Sequence, residues 1–128
     1  MLTDAQRTFL QKPLIARIST IDNEGYPHTV PVWFILDGDD LVIFGAGNTR
    51  KFGYARANSK GCVTIGGDSD DGEGYLFKGD WTVEADNGWS RKITAHYSGE
   101  QRADELLKEW GDLDYAVMRL KIRKAIKV

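Results

Sequence analysis

Cysteine, histidine and proline are scarce in this 128-residue sequence, which contains one, two and three of them, respectively. Because Cys62 is alone, an intrachain disulfide is excluded, and so is a zinc site built from several cysteines. His28 and His96 have no carboxylate or cysteine neighbours at the spacing of metal ligands. We therefore expect no bound metal. We interpret Cys62 as a buried apolar residue and His28 as a structural or dimer-facing residue.

A net positive charge and long apolar runs are lacking as well. The formal net charge is -2 at pH 7, whereas a general nucleic-acid-binding domain is normally strongly basic. No apolar run approaches the roughly 20 residues that span a bilayer. The opening residues, "MLTDAQRTFL", have neither the basic start nor the apolar stretch of a signal peptide. We expect a cytoplasmic protein with neither a nucleic-acid partner nor a membrane partner.

Two motifs that would indicate calcium binding or hydrolysis are incomplete or missing. A calcium-binding EF-hand loop beginning at Asp68 would need Asp or Asn at Gly72 and Glu at Gly79, so the acidic segment 68–74 is predicted to be a solvated loop. There is no Gly-x-Ser-x-Gly motif and no sign of a paired cysteine and histidine. If the protein is an enzyme, we expect a cofactor to supply the chemistry.

Strand-like segments dominate the sequence. They are rich in β-branched and aromatic residues and are separated by turn residues such as "DNEG" and "DGDD". A bulge is predicted near Gly79, because glycine inside a strand often marks one. The predicted strands are 14–21, 26–36, 41–46, 61–67, 75–85 and the final segment 114–128, "DYAVMRLKIRKAIKV".

Helices are predicted from capping boxes, in which a Ser or Thr and a residue three positions later satisfy each other's backbone N–H groups. Thr3 with Gln6 predicts a short first helix. Ser98 with Gln101 predicts a helix start within a helical region covering 87–111.

The final segment alternates apolar and mostly basic residues, which predicts a long strand with one apolar and one mostly basic face. Six strands at short spacing, with few helices between them, favour a mainly β fold: a small antiparallel β-barrel with a few helices. No linker or internal repeat divides the chain, so we expect a single domain covering 1–128.

The stretch "GAGNTRKFGYARAN" (45–58) places cations at a predicted helix start. A helix N-terminus favours anions, so Arg50 and Lys51 have the wrong charge for this position unless an anion binds there. The Walker and dinucleotide glycine patterns both fail here. Thr49, Arg50 and Lys51, with the free backbone N–H groups, would suit a phosphate. Spacing alone leaves a solvated turn with surface cations equally open.

The order of "ARISTIDNEGYPHTVPVWF", "LVIFGAGNTRKFGYARAN" and "YLFKGDWTV" resembles the flavin split-barrel superfamily. That superfamily includes pyridoxamine 5'-phosphate oxidase-like FMN-binding proteins and relatives that use the deazaflavin coenzyme F420. The resemblance covers most of residues 14–86. It implies a six-stranded antiparallel split barrel of the FMN-binding type, and a homodimer with the cofactor cleft at its interface.

The resemblance also implies the cofactor-binding residues. Thr49, Arg50 and Lys51 match the segment that holds the FMN phosphate in such proteins. A strand segment matches the one that lies along the isoalloxazine ring, and Trp33 in it could equally be ordinary core packing. That segment consists of Val30, Pro31, Val32 and Trp33. No side chain is an obvious proton donor, so the catalytic residues stay unknown.

Departures from the family pattern argue against pyridoxal phosphate synthesis. Val30 and Ile35 stand where pyridoxamine phosphate oxidases have an Arg and a Lys that help hold FMN. Gly74 and Leu76 correspond roughly to their Gln and Arg, and their substrate-binding C-terminal segment has no counterpart before Val128. We expect a divergent relative that is not a true pyridoxamine phosphate oxidase.

The resulting hypothesis is an FMN-dependent oxidoreductase that reduces an unknown small-molecule substrate through the flavin N5. Two alternatives bind the same cofactors: an F420-binding reductase, and a non-catalytic carrier or sensor of flavin or F420. A third is a barrel with a vestigial pocket that serves only dimerisation.

Overall fold

The computed structural model describes residues 1–68 and 72–128. The predicted loop 68–74 therefore lies partly outside the described residues. The elements in chain order are α1 (Asp4–Leu10), β1 (Ala16–Ile21), β2 (Pro27–Val32), β3 (Ile35–Asp37), β4 (Asp40–Ala46), α2 (Arg50–Ala57), β5 (Lys60–Gly66), β6 (Gly74–Ala85), α3 (Trp89–Ser98), α4 (Glu100–Trp110) and β7 (Tyr115–Lys127).

The strands form one antiparallel sheet in the order β2-β1-β5-β6-β7-β4-β3. The mainly β antiparallel architecture predicted from the sequence is confirmed. Within the described residues the sheet has seven strands and not six, because the predicted strand 26–36 divides at Trp33 and Phe34. The Phe34 side chain is fully buried, and its N–H donates to the Tyr97 hydroxyl at 3.0 Å. The backbone N–H of Phe34 is thus bonded to a side chain and not to a neighbouring strand, which interrupts the strand here. As a result, β2 and β3 lie at opposite edges of the sheet.

The irregularity predicted near Gly79 is present, but the extra residue belongs to the neighbouring strand: Lys78 lies opposite Lys124 and Gly79 opposite Ile122, so Arg123 of β7 is the bulged residue. The register between β6 and β7 shifts between Lys78 and Gly79. A Cβ atom on Gly79 would lie 2.1 Å from the Lys121 carbonyl oxygen. Only glycine fits this close approach of two backbones.

The inner face of the sheet, α1 and α2 enclose the main core. Alternate strand residues supply most of it, as the period-two pattern requires. The largest fully buried side chains here are Phe9, Leu10, Ile18, Phe34, Leu41, Ile43, Phe52, Ile65, Phe77, Met118 and Leu120.

A second, smaller core lies on the outer face of β4 and β7, beneath α3. Val42, Ile93 and Val117 form its buried centre. This core covers only part of the mostly basic face predicted for the last strand, because Lys121 and Arg123 are exposed. The Arg119 side chain lies on that side but is only 13% exposed, where it pairs with three carboxylates, those of Asp37, Asp40 and Glu84.

The helices begin and end where local chemistry allows. The first capping box is confirmed, with the Gln6 N–H donating to Thr3 at 3.1 Å and the Thr3 N–H donating to Gln6 at 2.9 Å. The capping box predicted at Ser98 is wrong. Ser98 ends α3, its hydroxyl donates to the Thr94 carbonyl at 2.6 Å, and Gly99 at φ 86° separates α3 from α4. No helix of the described residues has the length and apolar character needed to cross a membrane.

Candidate functional site

Six of the seven predicted cofactor-binding residues line one groove, of about 430 Å³, between β2 and the start of α2. We call it the β2–α2 groove. The structure brings the strand residues opposite the helix start although nearly twenty positions separate them in the chain. The groove is lined by His28, Val30, Pro31, Val32, Asn48, Thr49, Arg50 and Lys51. Trp33, the seventh residue, lies in a neighbouring groove.

Helix α2 presents an uncapped N-terminus to this groove. Thr49 is the N-cap residue, but its side chain accepts no hydrogen bond from a backbone N–H group of the helix. Its hydroxyl donates to the Ala46 carbonyl at 2.8 Å instead. The first turn contains no acidic residue. Backbone N–H groups at a helix start that lack such a cap are available to an anion.

Lys51 is half-buried beside this helix start. Its Nζ lies 3.4 Å from the Thr49 hydroxyl and 5.4 Å from the centre of the Phe52 ring. The ammonium group lies over Gly45, where a Cβ atom would be 3.1 Å from it. Burial lowers the pKa of Lys51 from 10.5. In residues 1–68 and 72–128, no carboxylate lies within 4.0 Å of this ammonium group to offset the burial.

Arg50 is exposed at the first position of α2. It too has no carboxylate within 4.0 Å in the part of the chain that the structure describes. Two adjacent cations thus flank an uncapped helix end, which is the electrostatic setting for a phosphate group.

The other wall of the groove is the free edge of the sheet. Strand β2 pairs with β1 alone among the described strands. Pro27 and Pro31 both lie on it, and proline lacks the N–H that a further strand would need. Along the wall, side chains alternate, with Val30 and Val32 turned to the core. Backbone groups on the open side are available to a ligand.

The sequence interpretation missed two lining residues, His28 and Asn48. His28 alternates with Pro31 along β2, and its ring meets that of Tyr54 on α2 edge to face, at 5.2 Å between centroids. It therefore joins the two walls of the groove. Because side chains alternate along a strand, the sequence of β2 places His28 on the same face as Val30. This alternation could have indicated that His28 lines the groove. Asn48 lies within the predicted stretch 45–58.

A second groove, which we call the aromatic groove, adjoins the first. It measures about 380 Å³ and shares Pro31 and Val32 with the β2–α2 groove. Its lining is completed by Ile15, Trp33 and Trp110, so that no lining side chain is charged. Trp110 comes from the end of α4, and sequence reasoning gave no sign that it would lie here.

Tyr97 fixes Trp33 in this groove. The two rings stack at 4.8 Å with an interplanar angle of 7°. The Tyr97 hydroxyl accepts the Phe34 N–H at 3.0 Å and donates to the Leu14 carbonyl at 2.5 Å. Burial raises the pKa of Tyr97 to about 12. Trp33 therefore packs against the second core and also borders the aromatic groove.

Solved structures with the same fold carry diverse names. A protein described as an F420 reductase has a TM-score of 0.78 at 19% identity, covering 98% of each chain. HupZ of Group A Streptococcus has a TM-score of 0.73 at 16% identity, covering 100% of this chain and 94% of that one. General Stress Protein 26 from Bacillus anthracis has a TM-score of 0.72 at 18% identity, covering 94% and 88%. At such identities these likenesses show the fold alone.

A comparison with curated proteins gives no match. The family model described as pyridoxamine 5'-phosphate oxidase matches residues 2–128. Because this match spans nearly the whole sequence and the fold agrees, the chain belongs to the pyridoxamine 5'-phosphate oxidase family and has its split-barrel fold.

Proposed function

We propose that the protein is an FMN-dependent oxidoreductase that holds the cofactor in the β2–α2 groove. Its family is one of flavin- and F420-binding split barrels. The observation that carries the proposal is the pair of cations without carboxylate partners, Arg50 and Lys51, at the uncapped start of α2. A phosphate bound at this position would compensate the half-buried ammonium group for its lost hydration.

The residues of the groove fit the parts of FMN. Lys51, Arg50, the Thr49 hydroxyl and the α2 N–H groups would hold the phosphate through charge-assisted hydrogen bonds. Val30, Pro31 and Val32 would support the ring system, with open backbone groups of β2 for its polar edge. FMN would supply hydride transfer through its N5 to a small-molecule substrate. The protein would bind and orient the ring and keep water from it.

The phosphate assignment is tested by the double variant Arg50→Ala with Lys51→Ala. Charge-assisted hydrogen bonds are worth about 1.5–3 kcal/mol each, so FMN binding should weaken by a few kcal/mol. Titration of the purified protein with FMN, followed by flavin fluorescence, measures this. The matched control is Arg102→Ala with Lys108→Ala on α4, which makes the same change in net charge away from the groove. Equal affinity in both double variants would contradict the assignment.

Coenzyme F420 is the second candidate cofactor, because an F420 reductase shares this fold over 98% of both chains. Parallel titrations with FMN and F420 decide between them. Among the described residues, the basic side chains of β7 do not line the β2–α2 groove. Reoxidation of the reduced, bound cofactor by quinones, nitroaromatics or enoyl compounds would distinguish a reductase from a carrier or sensor.

We further propose that the protein is a homodimer whose partner completes the cleft. In the described part of the chain, α3 packs on β4 and β7 and α4 packs on α3, so neither helix lies mainly over the outer face of β1, β5 and β6. On it Arg17 lies across from Pro31, a residue of both grooves. This face contains half-buried Cys62, Thr64 and Leu76 and a depression of about 420 Å³, whose lining combines Ile21 and Cys62 with the charged side chains of Lys60, Lys78, Asp80 and Arg123. A second copy seated there would border the β2–α2 groove.

A further inference from the structure

Among the described residues, no charged side chain lines the aromatic groove, and the only polar side-chain groups in its lining are the two indoles. Its five lining residues are Ile15, Pro31, Val32, Trp33 and Trp110. A charged group entering it would lose hydration without gaining a partner, which is costly. The contrast with the adjoining β2–α2 groove, which contains two cations, divides the joint cleft into a charged end and a neutral end.

The two tryptophans make the neutral end suited to a flat ring. Their ring centroids lie 6.4 Å apart at an interplanar angle of 52°, and both rings are half-exposed. Trp33 is held on one face by Tyr97, whose hydroxyl is bonded to two backbone groups. Trp110 packs against Phe44, with 6.3 Å between centroids. Rigid aromatic surfaces bind planar apolar molecules with little loss of side-chain entropy.

We propose that the aromatic groove binds the substrate of the oxidoreductase and that this substrate is a neutral, planar, apolar ring compound. The inference rests on the proposed function, because it takes the cofactor to occupy the β2–α2 groove. Pro31 and Val32 belong to both grooves, so ligands in the two would meet at these residues. Trp110 is the residue that determines substrate specificity. It comes from the end of α4 and lines the aromatic groove but not the β2–α2 groove.

Equilibrium dialysis of the FMN-saturated protein against naphthoquinone tests the inference, with naphthoquinone sulfonate as the charged analogue. Trp110→Leu removes one stacking surface and should raise the dissociation constant for naphthoquinone about tenfold while leaving FMN affinity unchanged. The matched control, Trp89→Leu, removes an indole that lies beside Lys92 and Arg119, outside the groove. It should leave naphthoquinone binding unchanged.

A second variant keeps the test decisive if Trp110→Leu folds poorly. Ile15 is 41% exposed in the groove wall, and Ile15→Lys places a cation there. Naphthoquinone should then bind more weakly, and the sulfonate about threefold more tightly than to the wild type.

Three outcomes would overturn the inference: competition between naphthoquinone and FMN for one site, a wild-type preference for the sulfonate, or equal affinity in the Trp110 and Trp89 variants. If the proposed function itself were wrong, the result would be different: the wild-type protein would bind neither FMN nor F420 in the direct titrations.

Discussion

Lys51 shows how one side chain can be arranged for binding at a cost to folding. Its ammonium group is half-buried without a carboxylate in the described part of the chain, and burial lowers its pKa. For a lysine with a lowered pKa, the cost of burying the charge is fully present below that pKa. The cost disappears as the pH rises towards the unfolded value of 10.5.

We expect Lys51→Met to stabilise the ligand-free protein at neutral pH while weakening FMN binding. The gain should stay below about 1 kcal/mol, because solvent screens a half-exposed charge. It should vanish above pH 10.5. Urea unfolding at pH 7 and in alkaline buffer measures the free energy, and an FMN titration measures the binding. A destabilised variant at neutral pH would show that Lys51 contributes to the fold.

Tyr97 carries a second expectation at this scale. Tyr97→Phe keeps the stacked ring but removes two hydrogen bonds and leaves the buried Phe34 N–H without a partner, so stability should fall by about 1–3 kcal/mol. Burial raises the pKa of Tyr97 from 10.0 to about 12. Its contribution is therefore complete below pH 10.0 and is lost as the pH rises to about 12.

Urea unfolding across this range should show a smaller alkaline loss of stability in Tyr97→Phe than in the wild type. Tyr26→Phe is the control, since Tyr26 is 66% exposed and should change neither quantity. An identical alkaline decline in wild type and Tyr97→Phe would mean that the Tyr97 hydroxyl ionises normally.

Among the elements, those governed by local patterns could be predicted from the sequence, and those governed by distant partners could not. The first capping box and the start of α2 depend on neighbouring residues. Gly79 marks the irregular register in the sequence, but its physical cause is the approach of the distant Lys121 backbone. The division of the strand 26–36 depends on Tyr97, 63 positions from Phe34. The capping box expected at Ser98 failed because continuation of α3 competes for the same residue.

The same distinction applies to the two grooves. Arg50 and Lys51 stand out in the sequence because their charge conflicts with the helix start. The burial of Lys51 and the arrival of Trp110 depend on how α2 and α4 pack, and no local pattern encodes that. The charged end of the cleft was therefore predictable, whereas the neutral end became visible only in three dimensions.

Glycines in different elements should respond in opposite ways to alanine. A Cβ atom on Gly61 would lie 1.8 Å from Nε1 of the buried Trp81, which donates to the Ser19 carbonyl at 3.1 Å. Gly61→Ala should therefore destabilise the protein by about 1–3 kcal/mol. Gly53 in α2 has open space around its Cβ position, so Gly53→Ala should stabilise by about 0.5–1 kcal/mol.

Thermal or urea unfolding of the two glycine variants provides the comparison. If Gly61→Ala had the same free energy of unfolding as the wild type, the indole of Trp81 would be free to move. The packing of β5 on β6 would then not fix its position. A destabilised Gly53→Ala would show that α2 needs a backbone conformation that only glycine adopts.

At the scale of the whole molecule, the outer face of β1, β5 and β6 leads us to expect a dimer. Sedimentation at micromolar concentration should give twice the monomer mass. Thr64→Arg places a charge among half-buried side chains of this face and should shift the mass towards the monomer. Thr8→Arg, on the exposed side of α1, should not. A monomeric wild-type protein would contradict the expectation.

The two prolines of β2 have a consequence for the behaviour of the protein at high concentration. An open strand edge is a template on which other chains can polymerise into aggregates. Pro27 and Pro31 interrupt the row of donors along that edge, and β3, the strand at the opposite edge, has only three residues. The molecule can therefore keep a backbone edge exposed for a small ligand and still resist growth into fibrils.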